Sequence, residues 1–321
     1  MATDKKPKVL VVGGGTYLGY HILDRLNGIF DLTATYTVMD HMCFSPPPWV
    51  FCVLEWSDMK GSLKRLMELG GYDWVVLSPE AIGTQRTLVA QILIDTMQET
   101  HFSGSVVVLS HDGVNQFAEK YRCKKMAELF SFEKAIFAMK HLKRVYSLRI
   151  AMLQEQLLFA LPTANRSGVV SLPVDLDLVN PIAAIDVVSS VCNIISGKAS
   201  GYSARRTRWT SYLTGLGSHF RHVRLKTVSS SAPPFCSDPH GSSCRSYYEW
   251  LDRFPLHCYS ISLPYWPADA EIELMREYFW YAGWPLGPAK EAQMDWNEIC
   301  PGADRQPLAT LLNIIHDQMR Q

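Results

Sequence analysis

The sequence predicts an α/β fold, a doubly wound parallel sheet followed by a smaller, irregular carboxy-terminal lobe. Three observations carry this expectation. Short β-branched runs alternate with helical stretches six times within the first 150 residues, a rhythm produced by parallel strands with crossover helices. Three consecutive glycines, Gly13-Gly14-Gly15, join the first strand to the first helix. Hydrophobic residues make up 47% of the 321 positions and charged residues 19%, which supplies a sizeable core and excludes a disordered chain.

Each element follows from a local pattern. Lys8–Val12 is a β-branched run between Pro7 and the glycines and reads as a buried strand. In Tyr17–Leu26 the spacing of Leu18, Ile22 and Leu26 places them on one helical face. Leu32–Met39 is a second strand that stops at Asp40, and Ser45-Pro46-Pro47-Pro48 forces a loop. Trp49–Leu54 reads as a third strand and Gly61–Leu69 as a helix. Gly71-Tyr72-Asp73 turns into a fourth strand, Trp74–Leu77, followed by a helix over Thr87–Thr100. Ser103-Gly104 introduces the fifth strand, Ser105–Leu109, a long helix covers Asn115–Met139, and Val145–Ile150 is the sixth strand. Beyond it the pattern loosens. Met152–Leu161, Ile185–Ile195, Ala268–Ala282 and Leu308–Met319 read as helices, and Ser229–Ser243, rich in Ser, Pro and Gly, reads as a loop.

Charge and cysteine usage exclude several classes. Thirty-one Lys and Arg balance thirty-one Asp and Glu, which argues against a surface that coats nucleic acid. No apolar run reaches the roughly 18 residues of a membrane span, so no membrane partner is expected. The amino-terminal apolar run is brief and ends in glycines, unlike a secretory signal; the expected location is cytoplasmic. Eight cysteines, at 43, 52, 123, 192, 236, 244, 258 and 300, show neither Cys-x-x-Cys nor zinc-site spacing. They read as free thiols, with no metal expected.

The motif with most chemical content is Gly13-Gly14-Gly15-Thr16-Tyr17-Leu18-Gly19. Glycines here allow a sharp turn and close approach of backbone to a pyrophosphate, which the N–H groups and positive dipole end of the helix then attract. The spacing departs from the G-x-x-G-x-x-G form at Thr16, which holds the middle position. Asp40 lies 21 residues after Gly19. An acid at that strand end accepts from a ribose 2′-hydroxyl and repels a 2′-phosphate, so NAD is favoured over NADP. Glu55, at the end of the third strand, is placed to meet the adenine amine, and Ser78, after the fourth strand, completes the cofactor set. The plain alternative for Asp40 and Glu55 is a solvated surface carboxylate.

In these passages the chain resembles the short-chain dehydrogenase/reductase superfamily, with its Rossmann fold, and looks closest to extended and atypical members, including NmrA-like proteins. The resemblance spans residues 7–200. It rests on Gly13–Gly19, on Leu54-Glu55-Trp56-Ser57-Asp58 after the third strand, on Val106–Ser110, on Arg149 near the end of the sixth strand, and on Val179–Val188. It implies an NAD(P)-binding domain over 1–200 and a substrate or partner lobe over 201–321, with interleaved elements. It also implies a catalytic Ser, Tyr and Lys. A tyrosine hydroxyl titrates near 10 unaided, so acid–base work needs a lysine one helical turn away. Tyr121 and Lys125 have that i, i+4 spacing, and Ser110 precedes Tyr121 by 11 residues. Ser110, Tyr121 and Lys125 are therefore the candidate catalytic residues. The competing reading makes the charged stretch around Tyr121 a solvated helix face.

The second half holds an aromatic-rich set that includes Trp209, Tyr212, Tyr247, Tyr248, Trp250 and Trp266. Such residues suit a pocket for a bulky small-molecule substrate, or else core packing, a homodimer contact or a protein partner. Residues 187–237 contain no acid but seven basic residues, from Lys198 to Lys226. That segment would steer an anionic substrate, or form a solvated surface, or touch a protein or RNA. Three functions compete: an NAD(P)-dependent reductase, dehydrogenase or epimerase; a non-catalytic NmrA-like dinucleotide sensor; and an RNA-associated atypical member.

Overall fold

A computed structural model describes residues 6–14, 17–37, 53–54, 58–77, 86–111, 114–119, 124–150, 153, 169–172, 182–199, 207–208, 224–227 and 299–302. The elements, in order, are β1 (Lys8–Val12), α1 (Tyr17–Leu26), β2 (Asp31–Thr37), β3 (Val53–Leu54), α2 (Met59–Gly70), β4 (Trp74–Leu77), α3 (Arg86–Glu99) and β5 (Ser105–His111). After these come α4 (Val114–Glu119), α5 (Lys124–Ala138), β6 (Arg144–Ile150), β7 (Val169–Leu172), α6 (Ala184–Ile195), β8 (Thr207–Arg208) and β9 (Arg224–Thr227).

Among the described residues, seven strands form one sheet in the order β3-β2-β1-β4-β5-β6-β8. Every pairing in it is parallel. Both faces must then be covered, and the strands read as continuous apolar runs because alternate side chains enter different cores. In β1, Val9 and Val11 join one core with Leu18, Ile22 and Leu26 of α1 and Val187, Val191 and Ile194 of α6. Leu10 and Val12 join the other, with Leu63 and Met67 of α2, Leu93 and Met97 of α3 and Phe132 and Ile136 of α5. The doubly wound sheet expected from the sequence is therefore present.

Local chemistry fixes the ends of the elements. Asp58 caps α2 by accepting from the Gly61 N–H at 3.1 Å. The helix stops where Gly71 takes the left-handed conformation, φ 59°. Asp73 ties the strand starts together. It accepts from the Lys8 N–H through Oδ2 at 2.9 Å, and its carbonyl accepts from the Ser105 N–H at 2.8 Å. Gly104 is required there, since a Cβ would come within 2.8 Å of that same carbonyl.

Several expectations shift. The helix expected over Asn115–Met139 is described as two, α4 and α5, with residues 120–123 outside the described residues. The second strand begins one residue earlier, at Asp31, and its expected end at Asp40 lies outside the described residues. Of the expected third strand, Val53–Leu54 is described. The expected helices over Ala268–Ala282 and Leu308–Met319 and the loop over Ser229–Ser243 lie outside the described residues, as does Met152–Leu161 apart from Leu153. The segment read only as basic contributes two strands: β8 joins the main sheet beside β6, and β9 pairs in parallel with β7. Late in the chain, Ile299 and Cys300 are buried in the α1/α6 core, where Cys300 Sγ lies 3.4 Å from the Ser190 hydroxyl. Burial raises the Cys300 pKa, and it and Cys192 are free thiols.

One consequence is a pH response. His21 is half-buried on α1, its ring edge-on to Tyr20, and burial lowers its pKa against the opposing pull of Asp24. The unfolded chain therefore binds this proton more readily than the folded one, and stability rises with pH through the window below about 6.5. Urea midpoints should fall on acidification, and His21→Gln should flatten that part of the profile. An unchanged slope in the variant would refute the assignment.

Candidate functional site

The strand order reverses at β1, which has β2 on one side and β4 on the other. Crossovers leave in opposite directions there, so a crevice opens at the carboxyl ends of the two strands, where doubly wound sheets bind ligands. The glycine turn sits at this point. Gly13 has φ 94°, a conformation that a side chain would strain. Its N–H donates to Thr35 Oγ1 at 3.0 Å, and the Gly14 N–H donates to the Thr35 carbonyl at 2.9 Å. Thr35 is buried on β2 directly opposite Val12. The turn is thus pinned sideways to the neighbouring strand. Gly19, buried in the first turn of α1, follows on the same path.

A second cluster lies at the carboxyl end of β5 and β6, where Ser110 and Arg149 are direct register partners. Between them stands Glu133 of α5, with 0% of its surface exposed, against 5% for Arg149 and 1% for Ser110. Arg149 grips the carboxylate with Nη2 at 2.8 Å from Oε1 and Nε at 3.4 Å from Oε2. The Ser110 hydroxyl donates to Oε2 at 2.9 Å. Arg149 Nη1 also donates to Asn115 Oδ1 of α4 at 3.4 Å. One carboxylate therefore joins two strands and two helices. Each of these groups would cost several kcal/mol to bury without its partners.

No family model matches the sequence, and no curated protein matches it. Solved structures do match the fold. A nucleoside-diphosphate-sugar epimerase from Staphylococcus aureus is 14% identical with a TM-score of 0.62, covering 95% of this chain and 99% of that one. An NADPH-dependent quinone oxidoreductase from Escherichia coli, solved in complex with NADPH, is 12% identical with a TM-score of 0.61, covering 96% of this chain and 99% of the other. The chain has a Rossmann fold.

Within this Rossmann fold the sequence candidates fall into three groups. Gly13, Gly14 and Gly19 stand at the crevice, Tyr17 opens α1, and Leu18 is buried in the core shared with α6. Gly15, Thr16, Asp40, Glu55, Ser78 and Tyr121 lie outside the described residues. Lys125 lies in the first turn of α5, and Ser110 meets the same helix at Glu133. Eight residues separate the two helix positions, about 12 Å along the axis at 1.5 Å per residue. The structure thus brings Ser110 to Glu133 and Arg149, at a different level of α5 from Lys125. Sequence reasoning missed Thr35, Asn115 and Glu133. For Glu133 a signal existed: Leu129, Phe132, Glu133 and Ile136 follow the i, i+3, i+4, i+7 spacing of a buried stripe, and a carboxylate within such a stripe needs a cation.

Breaking the pair should be costly. Glu133→Gln leaves the Arg149 guanidinium buried without its counter-charge, a loss of about 3–5 kcal/mol. Ser110→Ala removes one hydrogen bond to a charged group, about 1.5–3 kcal/mol. Urea denaturation of both single variants and the double variant should show strong non-additivity. Additive losses of a few tenths of a kcal/mol would refute the network.

Proposed function

We propose that the chain is an NAD(P)-dependent oxidoreductase of the short-chain dehydrogenase/reductase type, acting on a carbonyl or alcohol of a bulky or anionic small molecule. The observation that carries this reading is the glycine turn. At the switch point between β1 and β4, Gly13 adopts φ 94° and leads into the amino terminus of α1. A pyrophosphate suits such a turn because its glycines carry no side chain to hold the backbone off and the helix end favours its charge. The Gly13 and Gly14 N–H groups already serve Thr35, so the phosphate donors fall to Gly15, Thr16 and the first turn of α1. Asp40 and Glu55 would hold the adenosine half, with NAD favoured over NADP, and Ser78 would line the middle. The names of the structural neighbours, an epimerase and an NADPH-dependent quinone oxidoreductase, support the same class.

The nicotinamide, when bound, supplies the hydride acceptor or donor. The chain's own part is the proton. Tyr121 would hold or release it at the substrate oxygen, and Lys125, four residues on in the sequence, would favour the phenolate. Among the described residues no helix is long and apolar enough to cross a membrane, and the reading places the protein in the cytoplasm with a small-molecule substrate.

One observation favours a second reading, the non-catalytic NmrA-like sensor. The Ser110 hydroxyl gives its proton to Glu133, which suits a structural serine better than one that donates to a substrate oxygen. Cofactor fluorescence titration and turnover separate the two. NADH should bind more tightly than NADPH. Tyr121→Phe should reduce hydride transfer about 10²–10⁴-fold with unchanged NADH affinity. Equal turnover in wild type and variant overturns the catalytic assignment, and no affinity for either dinucleotide overturns both readings.

A further inference from the structure

The amino ends of the strands enclose a second cleft, of about 700 Å³, on the edge of the sheet away from the glycine turn. The first residues of four adjacent strands line it: Lys8 of β1, Trp74 of β4, Ser105 of β5 and Arg144 of β6. Five residues of β1 separate this edge from Gly13, roughly 16 Å at 3.3 Å per residue. The volume falls within the range of small-molecule sites.

Its charge is one-sided. Among the described residues, Lys6, Lys8, Lys143 and Arg144 line the cleft against one carboxylate, Asp73, which accepts from the Lys8 N–H. None of the four cations pairs with a carboxylate among the described residues. The Lys6 ammonium donates to the Gly28 carbonyl and the Lys8 ammonium to the Gly70 carbonyl at 3.0 Å. Gly70 is the last residue of α2 and Gly28 lies two residues past the end of α1, so the two lysines offset the partial negative charge near these helix ends. Each ammonium keeps further donors. Lys143 and Arg144 are exposed at the rim, and among the described residues no group engages their charged ends. Half-buried Tyr72 adds an aromatic wall. Two adjacent exposed cations at the mouth of a polar cleft form the arrangement that captures phosphate oxygens by charge-assisted hydrogen bonds.

We propose that this cleft is a second binding site, separate from the dinucleotide crevice, for a compact phosphorylated small molecule. Lys143 and Arg144 bind its phosphates, and Lys6 and Lys8 set the potential behind them.

The test is calorimetric titration of the full chain, held in saturating NADH, with inorganic triphosphate and, in parallel, ATP. The Lys143→Ala/Arg144→Ala double variant changes exposed residues only. Triphosphate should bind the wild type and bind the variant at least about tenfold more weakly, the worth of one charged hydrogen bond. NADH affinity should be the same in both proteins. Tighter binding of ATP than of triphosphate would assign a nucleoside phosphate, with the base against Tyr72; equal binding would assign the phosphate chain alone. Three results overturn the proposal: no triphosphate binding to the wild type, equal binding to wild type and variant, or retention of RNA with no response to triphosphate.

Discussion

Glu133 places a carboxylate where water does not reach it, and much of the structure is arranged around that fact. A buried carboxylate needs a cation and enough donors to replace its hydration. Arg149 supplies the charge and two of the donors, and Ser110 a third. Because Ser110 and Arg149 face each other across the β5–β6 ladder, the requirement fixes more than one side chain. It sets the register of two strands, the rotation of α5 about its axis and, through Asn115, the position of α4. Hydrophobic packing tolerates small slips of a helix on a sheet, whereas a bidentate guanidinium–carboxylate pair does not. The pair need not add net stability over an apolar replacement; its effect is to leave α5 one way to lie on the sheet.

The glycine turn is governed by a similar but weaker constraint. A backbone that bends through φ 94° at Gly13 exposes two consecutive N–H groups in a buried place, and buried donors must be paired. Thr35 accepts from both, one through its hydroxyl and one through its carbonyl. The start of the turn is therefore held by β2 through Thr35. The two clusters sit along the same edge of one sheet, separated by the single apolar strand β4.

The centre of the sheet is readable in the sequence because β1, β4 and β5 are short, largely apolar and preceded by Pro7, Asp73 and Gly104. Lys8–Val12, Tyr17–Leu26 and Trp74–Leu77 were legible to the residue. The alternation that splits Val9 and Val11 from Leu10 and Val12 was not, because both sets are equally apolar and only the helices on either side distinguish them. Site partners were harder still. Thr35 lies among β-formers and looks like one more strand threonine, and its partners are some 22 residues away in sequence. Thr207–Arg208 offers too few residues for any periodicity, so its place beside β6 is a tertiary effect. Arg149 was noticed only through a family resemblance, although its inward position in an apolar strand already required an acid.

Ile299 and Cys300 give the chain an order of assembly. Among the described residues, they finish a core wall that begins at Val9 and otherwise runs to Ile195. On a ribosome adding about 5–20 residues per second, the interval between Ile195 and Ile299 lasts roughly 5–20 s. During that time the contacts that Ile299 and Cys300 make in the α1/α6 core are not yet formed. The Rossmann domain therefore closes this wall only once residue 300 has been made, and a core that stays open during synthesis is open to misassembly.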